Sequence, residues 1–216
     1  MTSNLKLVIG NRNYSSWSLR AWLAMRRSKL PFEEIFIPLN LPETPAHLKE
    51  HSPSLLVPVL KMNGTLVWDS LAIIETLAEL APEAGIWPKD ATARAVARSV
   101  SAEMHSGFYR LRRDMPMDLR TDRAGTQHTD GALDDAEKII ARWSDCRERF
   151  SDGGPFLFGD WSAADIMYAP VVSRFRTYGV PVDAETCAYM DAVRTQPDMA
   201  EWAARAEEEP YEIAVL

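Results

Sequence analysis

The chain has 216 residues, of which 46% are hydrophobic and 25% charged, and a formal net charge of −7. Its length falls between one and two domains and supports a large core, and its composition excludes a disordered chain. The acidic balance argues against nucleic acid or an anionic membrane surface as a partner, and no stretch reaches the roughly 18 apolar residues of a membrane-spanning helix.

Residues 5–10 (LKLVIG) read as a short buried strand. Ser16 or Ser18 is placed to cap a helix running to about Ser28, with Leu19, Trp22, Leu23 and Arg26 at helical spacing and Leu30-Pro31 ending it. Residues 32–38 alternate as a strand, and a proline-punctuated loop leads to a short helix over residues 45–51. Apolar runs at 57–62 and 65–68 flank Asn63-Gly64. That dipeptide signals a hairpin, because a type I′ turn needs positive φ at both central residues. Residues 70–80 (SLAIIETLAEL) form a helix. The order βαβ, helix, ββα predicts one α/β layer over a mixed four-stranded sheet.

Residues 81–88 (APEAGIWP) carry two prolines and a glycine, and no strand pattern persists beyond them. Residues 91–119 put Val96, Val100, Met104, Phe108 and Leu111 on one face, predicting one long amphipathic helix. Further helices are predicted over 131–150, 162–178 and 184–206, with Pro197 dividing the last. The expected domains are 1–81 (α/β), 82–92 (linker) and 93–216 (all helical). Met1–Gly10 has no long apolar run behind a basic stretch, so no secretory signal is expected. Cys146 and Cys187 lack CxxC spacing and read as free thiols of a reducing compartment, which makes cytoplasm the expected location.

Three segments carry the chemistry. Ser15, Ser16 and Ser18 stand where a strand runs into a helix. The first N–H groups there lack partners and carry the positive end of the helix dipole. A thiolate placed against them is stabilised, and a serine hydroxyl donating to the sulfur adds to the effect. A free thiol of pKa about 8.5 is only about 3% ionised at pH 7, and each unit of depression is worth about 1.4 kcal/mol. The plainer reading is that one of these serines is simply an N-cap. At Val57-Pro58 a cis bond would turn the backbone so that Val57 presents N–H and C=O to an extended peptide; the alternative is a trans proline at a strand edge. Asp69-Ser70 precedes a helix, where Asp69 attracts an α-ammonium and Ser70 with free N–H groups binds an α-carboxylate; here too the alternative is a cap.

Two other motifs read as structural. Ser162-Ala163-Ala164-Asp165 is a capping box. His47-Leu48-Lys49-Glu50-His51 matches H-x-x-E-H, but Ser52-Pro53 stops the helix at once and no third ligand is indicated, so no metal is expected.

Taken together, these motifs resemble the cytosolic glutathione S-transferase family over essentially the whole chain. The matching elements are the Ser-Ser pair before the first helix, Ser52–Pro58 (SPSLLVP), Asp69–Glu75 (DSLAIIE), Ile86-Trp87-Pro88 and Gly159–Ile166 (GDWSAADI). Ser15-Ser16-x-Ser18 is most similar to zeta-type (maleylacetoacetate isomerase) and other serine-type bacterial members. The chain departs from the zeta pattern at Trp17, where that pattern has cysteine, at Leu56 before Val-Pro, and at Asp69 in place of Gln or Glu. With no cysteine in its first 145 residues the chain lacks the nucleophile of an omega-type thiol–disulfide mechanism.

The resemblance implies a thioredoxin-like N-terminal domain, an all-α second domain, a homodimer, and a detoxifying role in which glutathione is the co-substrate for a small electrophile. On this reading Ser16, with Ser15 as the fallback, stabilises the thiolate. Trp17, Val57, Pro58, Asp69 and Ser70 hold glutathione. The glycyl carboxylate meets His47, Lys49 or Asn40. Tyr109 and Arg112, three apart on the long helix, are the best candidates for the electrophile pocket, beside Met104, Phe108 and Met115. Two alternatives stand: glutathione-dependent isomerisation, and a non-catalytic scaffold with the same fold.

Overall fold

The computed structural model describes residues 4–213; the outermost residues of the expected 1–81 and 93–216 units lie outside these. β1 (Leu5–Ile9), α1 (Ser16–Ser28), β2 (Phe32–Phe36), α2 (Thr44–His51), β3 (Val59–Met62), β4 (Thr65–Val67) and α3 (Ser70–Leu80) follow in chain order. The sheet order is β2-β1-β3-β4. β1 runs parallel to β2 and antiparallel to β3, and β3 and β4 form the hairpin. Its turn has φ 48° at Asn63 and 84° at Gly64, as that dipeptide requires.

The period of two along β1 explains how the sheet is covered. Leu5, Leu7 and Ile9 join α1 and α3 residues, among them Trp22, Leu23, Ile73 and Leu77, in the main core. Val8 points the other way, with Ile37, Val59 and Leu48 of α2.

The rest of the described chain is helical apart from isolated bridges. Its helices are α4 (Ala91–Ser106), α5 (Tyr109–Asp114), α6 (Asp130–Phe150), α7 (Ala163–Tyr178), α8 (Ala184–Thr195) and α9 (Pro197–Glu207). The single helix expected over 91–119 is therefore two. Gly107 caps α4, its N–H donating to Glu103 O at 2.7 Å. A Cβ at Gly107 would lie 2.7 Å from that same oxygen, and Phe108 takes φ 53°, so the chain turns where apolar spacing alone predicts continuation.

α7 is the central helix and is almost wholly buried. Its capping box forms as expected. Asp165 accepts from Ser162 N–H at 2.9 Å, and it also accepts from the Ser162 hydroxyl and the Leu157 N–H. Burial pushes the Asp165 carboxyl up to about 6, against the downward pull of these donors.

α1 is tied to α7 by Arg20, whose Nε donates to Met167 O at 2.8 Å. The segment after α9 is tied back to Arg12 and Arg120. Glu209 accepts from the Arg12 N–H and from Arg12 Nη1 at 3.0 Å, while Arg12 Nη2 and Arg205 reach Glu34. Burial raises the Glu34 carboxyl, but Arg205 and the Trp22 indole outweigh it and hold the group below its ordinary range. Arg120 donates to the carbonyls of Glu209 and Tyr211, both at 2.8 Å.

Candidate active site

The sheet register brings Trp17, Val57-Pro58 and Asp69-Ser70 together, while Ser15 and Ser16 are buried beside Trp17 and do not themselves line the cleft. Because β3 is antiparallel to β1, with Val8 opposite Val59, the start of β3 lies beside the end of β1 and hence near the start of α1. β4 turns back along β3, with Leu60 opposite Val67, so α3 also begins at this end of the sheet. A cleft of about 360 Å³ opens there, lined by Trp17, by Val57 and Pro58, and by Trp68, Asp69 and Ser70. Ser54 and Leu56 form part of the wall, and His105 of α4 brings in the helical half.

The Val57–Pro58 peptide is cis, as the sequence suggested. Val57 stands outside the ladder, whose register starts at Val59. Asp69 is both cap and pocket group: Oδ1 accepts from the Leu71 N–H at 3.0 Å, and Oδ2 accepts from His105 Nε2 at 2.9 Å. The Ser70 hydroxyl is buried with no partner among the described residues, a donor and acceptor left for a ligand.

The two candidate serines have different surroundings. Ser15, rather than Ser16 or Ser18, is the N-cap of α1. Its hydroxyl donates to Ser18 Oγ at 2.8 Å and accepts from the Ser18 N–H at 3.3 Å, so its proton is engaged. Ser18 in turn accepts from the Gly10 N–H. Ser16 Oγ accepts from Arg174 Nη2 at 3.3 Å and keeps its own proton.

A group of cations surrounds this point. The Arg20 guanidinium lies 4.4 Å from the Trp17 ring centroid and that of Arg112 lies 5.5 Å from it, while His105 packs edge-on at 5.2 Å. Arg20 is wholly buried, and its two terminal nitrogens have no partner among the described residues. Burial first, then Arg174 and Arg112, lower the Arg20 pKa. Burial and Arg112 bring Arg174 to about 10, so it stays charged at neutral pH.

The electrophile-pocket candidates divide. Neither Arg112 nor Tyr109 lines the cleft: Arg112 lies over the Trp17 ring, and Tyr109 is exposed beneath Arg113. The break at Gly107 takes Tyr109 and Arg112 off the helix that carries Met104, and Met104, Phe108 and Met115 fill the core. Asn40, His47 and Lys49 are exposed and off the cleft. His51 Nδ1 lies 2.7 Å from Lys61 Nζ, and no group of three or more His, Cys, Asp or Glu gathers among the described residues. Both cysteines are free; burial pushes the Cys146 thiol up to about 12.

Sequence reasoning missed Arg20, Arg174 and His105. Arg20 stands one helical turn after Ser16 on a buried face, which is a usable signal. Arg174 and His105 approach from 158 and 36 residues away and leave none.

Comparison with known proteins accords with this arrangement. The N-terminal domain of glutathione S-transferases matches residues 14–80, and the C-terminal domain matches residues 123–205. Glutathione S-transferase L1 of Arabidopsis thaliana is 26% identical over 184 residues, covering 85% of this chain and 70% of that one. A probable maleylacetoacetate isomerase of Caenorhabditis elegans is 36% identical over 109 residues, about half of each chain (50% and 51%). A glutathione transferase homolog from Burkholderia GL BGR1, solved with bound glutathione, superposes with a TM-score of 0.74 at 23% identity, covering 95% of this chain and 100% of that one.

Proposed function

This chain belongs to the glutathione S-transferase family and is an enzyme of that kind, and from that premise we propose that it joins the thiolate of reduced glutathione to a small electrophile. The observation that carries this reading is the convergence of Trp17, Val57-Pro58 and Asp69-Ser70 on one cleft at the start of α1.

Residues 1–81 hold glutathione and residues 93–216 the electrophile, with 82–92 linking them. Val57 pairs with the cysteinyl backbone. Asp69, Ser70 and the free N–H groups of α3 take the γ-glutamyl end. Ser16 donates its hydroxyl proton to the sulfur, since the Ser15 proton is already used within the chain. The thiol proton leaves to solvent. The thiolate then attacks the electrophilic carbon, a C–S bond forms, and either a leaving group departs or the displaced electron pair takes a proton. Arg112, over the Trp17 face, is placed to attract an anionic group on the electrophile. Tyr109 lies farther out and its part is secondary. The protein works as a metal-free cytoplasmic homodimer in detoxification, which sedimentation and fractionation check.

Calorimetry with reduced glutathione, followed by a panel of small electrophiles, tests the reading. No heat and no thermal shift at millimolar glutathione leaves only the scaffold alternative. Isomerisation is the second reading, favoured by the isomerase relatives and Ser15-Ser16-x-Ser18. It is distinguished by glutathione that is required yet returned unconsumed.

A further inference from the structure

We propose that Arg174 is a positioning residue for thiol activation: by donating to Ser16 Oγ it occupies a lone pair of that oxygen, leaves the serine proton free for the glutathione sulfur, and strengthens that donor with its charge. This rests on the reading that Ser16 meets the sulfur.

A serine hydroxyl has one proton and two lone pairs and rotates to suit its surroundings. Three serines of these helices turn back onto the preceding turn: Ser99 donates to Ala95 O, Ser106 to Ala102 O and Ser173 to Ala169 O. Ser16 does not. It is the first residue of α1, so no helical carbonyl lies one turn behind it, and its only hydrogen bond among the described residues is the one it accepts from Arg174. That bond has one possible sense, because a guanidinium only donates.

Arg174 is held in place for this task. It is 4% exposed. Nε donates to Met115 O at 2.8 Å and Nη1 to Pro170 O at 3.3 Å, which leaves Nη2 for Ser16. No carboxylate among the described residues forms an ion pair with it. A charged donor polarises the hydroxyl it binds, so the next bond in the chain, from Ser16 to the sulfur, is stronger. The ionisable groups about Ser16, Trp17 and the two buried arginines are Arg20 on α1, His105 on α4, Arg112 on α5, and Tyr168, Arg174 and Tyr178 on α7. The acid near them, Asp69, is already engaged by His105. The field at the sulfur is therefore positive, which favours the thiolate.

The test is a mutant cycle read by ultraviolet thiolate absorbance of bound glutathione against pH, with S-methylglutathione as the blank for the protein's own thiols. Arg174→Gln should raise the titration midpoint by about one unit, roughly a tenfold loss of thiolate at neutral pH, and lower kcat with glutathione affinity within about twofold. In a Ser16→Ala background the same substitution should add no more than about 0.3 unit, because the two act as one chain. Arg174→Lys should restore part of the shift.

An equal shift with and without Ser16 overturns the proposal. So does an unchanged midpoint accompanied by a new preference between acidic and neutral electrophiles. If Arg174→Gln does not fold, Arg174→Lys carries the same cycle, since it keeps the charge but not the planar fork. A raised midpoint that vanishes without Ser16 then supports the proposal, and an unchanged one overturns it. If Ser16→Ala itself leaves the midpoint in place, the role given to Ser16 falls first. If Ser16→Ala moves it and Arg174→Gln does not, only the present inference falls.

Discussion

Ser15→Ala and Ser16→Ala should both lower stability but differ in rate, although the residues are neighbours. Removing the Ser15 hydroxyl takes the cap from the Ser18 N–H and a donor from the buried Ser18 Oγ. Loss of a cap costs about 1 kcal/mol, and the lost hydrogen bond to Ser18 Oγ, which keeps the Gly10 N–H, costs about 0.5–1.5 kcal/mol more. For a chain of this size that is a fall of about 3–10 °C in Tm. The thiolate titration should not move. Ser16→Ala removes no cap, but it takes the acceptor from the buried Arg174 Nη2, which costs about 1–3 kcal/mol, so Tm should also fall, by about 2–12 °C. Loss of one charge-directed hydrogen bond to the sulfur is worth roughly 1.5–3 kcal/mol, a ten- to hundredfold drop in kcat with KM for glutathione little changed. Differential scanning fluorimetry and steady-state kinetics on the two variants decide the matter. A thiol midpoint that rises in Ser15→Ala and stays put in Ser16→Ala would refute the assignment, and the Ser15 proton would have to leave Ser18 to reach the ligand.

Three further outcomes are expected. Arg112→Leu should reorder acidic against neutral electrophiles while glutathione affinity stays constant; an unchanged ranking makes its position over Trp17 purely a packing contact. His105→Ala frees Asp69 Oδ2 and uncovers the Trp17 edge, so calorimetry should show glutathione Kd changed by about three- to thirtyfold, and an identical Kd would remove His105 from the site. The Asp165 carboxyl titrates near 6 when folded and near 3.8 when unfolded, so the native state binds the extra proton between those values. The stability advantage of wild type over Asp165→Asn should accordingly shrink by about 1 kcal/mol per pH unit from pH 4 to 6 and level off above, in urea titrations. An advantage that grows over that interval contradicts this assignment.

Much of the first half was legible because its signals are local. Asn63-Gly64 announces its own turn, the apolar run in residues 5–9 marks a buried strand, and Asp69 and Ser70 sit where their helix begins. The break at Gly107 was not legible. Met104, Phe108, Leu111 and Met115 continue the apolar spacing straight through it, and nothing in the sequence marks a phenylalanine for positive φ. Nor was the difference between Ser15 and Ser16 legible, since it depends on an arginine in α7. Arginines 20 and 174 were passed over because the usual place of a guanidinium is the solvated face, whereas here both are buried beside a cleft.

The last turn of the chain has a practical consequence. Arg12 and Arg120 take their acceptors from Glu209 and from the carbonyls of Glu209 and Tyr211, and those carbonyls are main-chain groups rather than a terminal carboxylate. None of these contacts uses a terminal carboxylate, so each tolerates a chain that continues beyond Tyr211. Stopping the chain at Glu208 takes the Glu209 carboxylate from Arg12 Nη1 and from the Arg12 amide and leaves that guanidinium with Glu34 alone among the described residues. Trimming there to aid crystallisation therefore removes a clasp that joins the segment after α9 to the loop between β1 and α1.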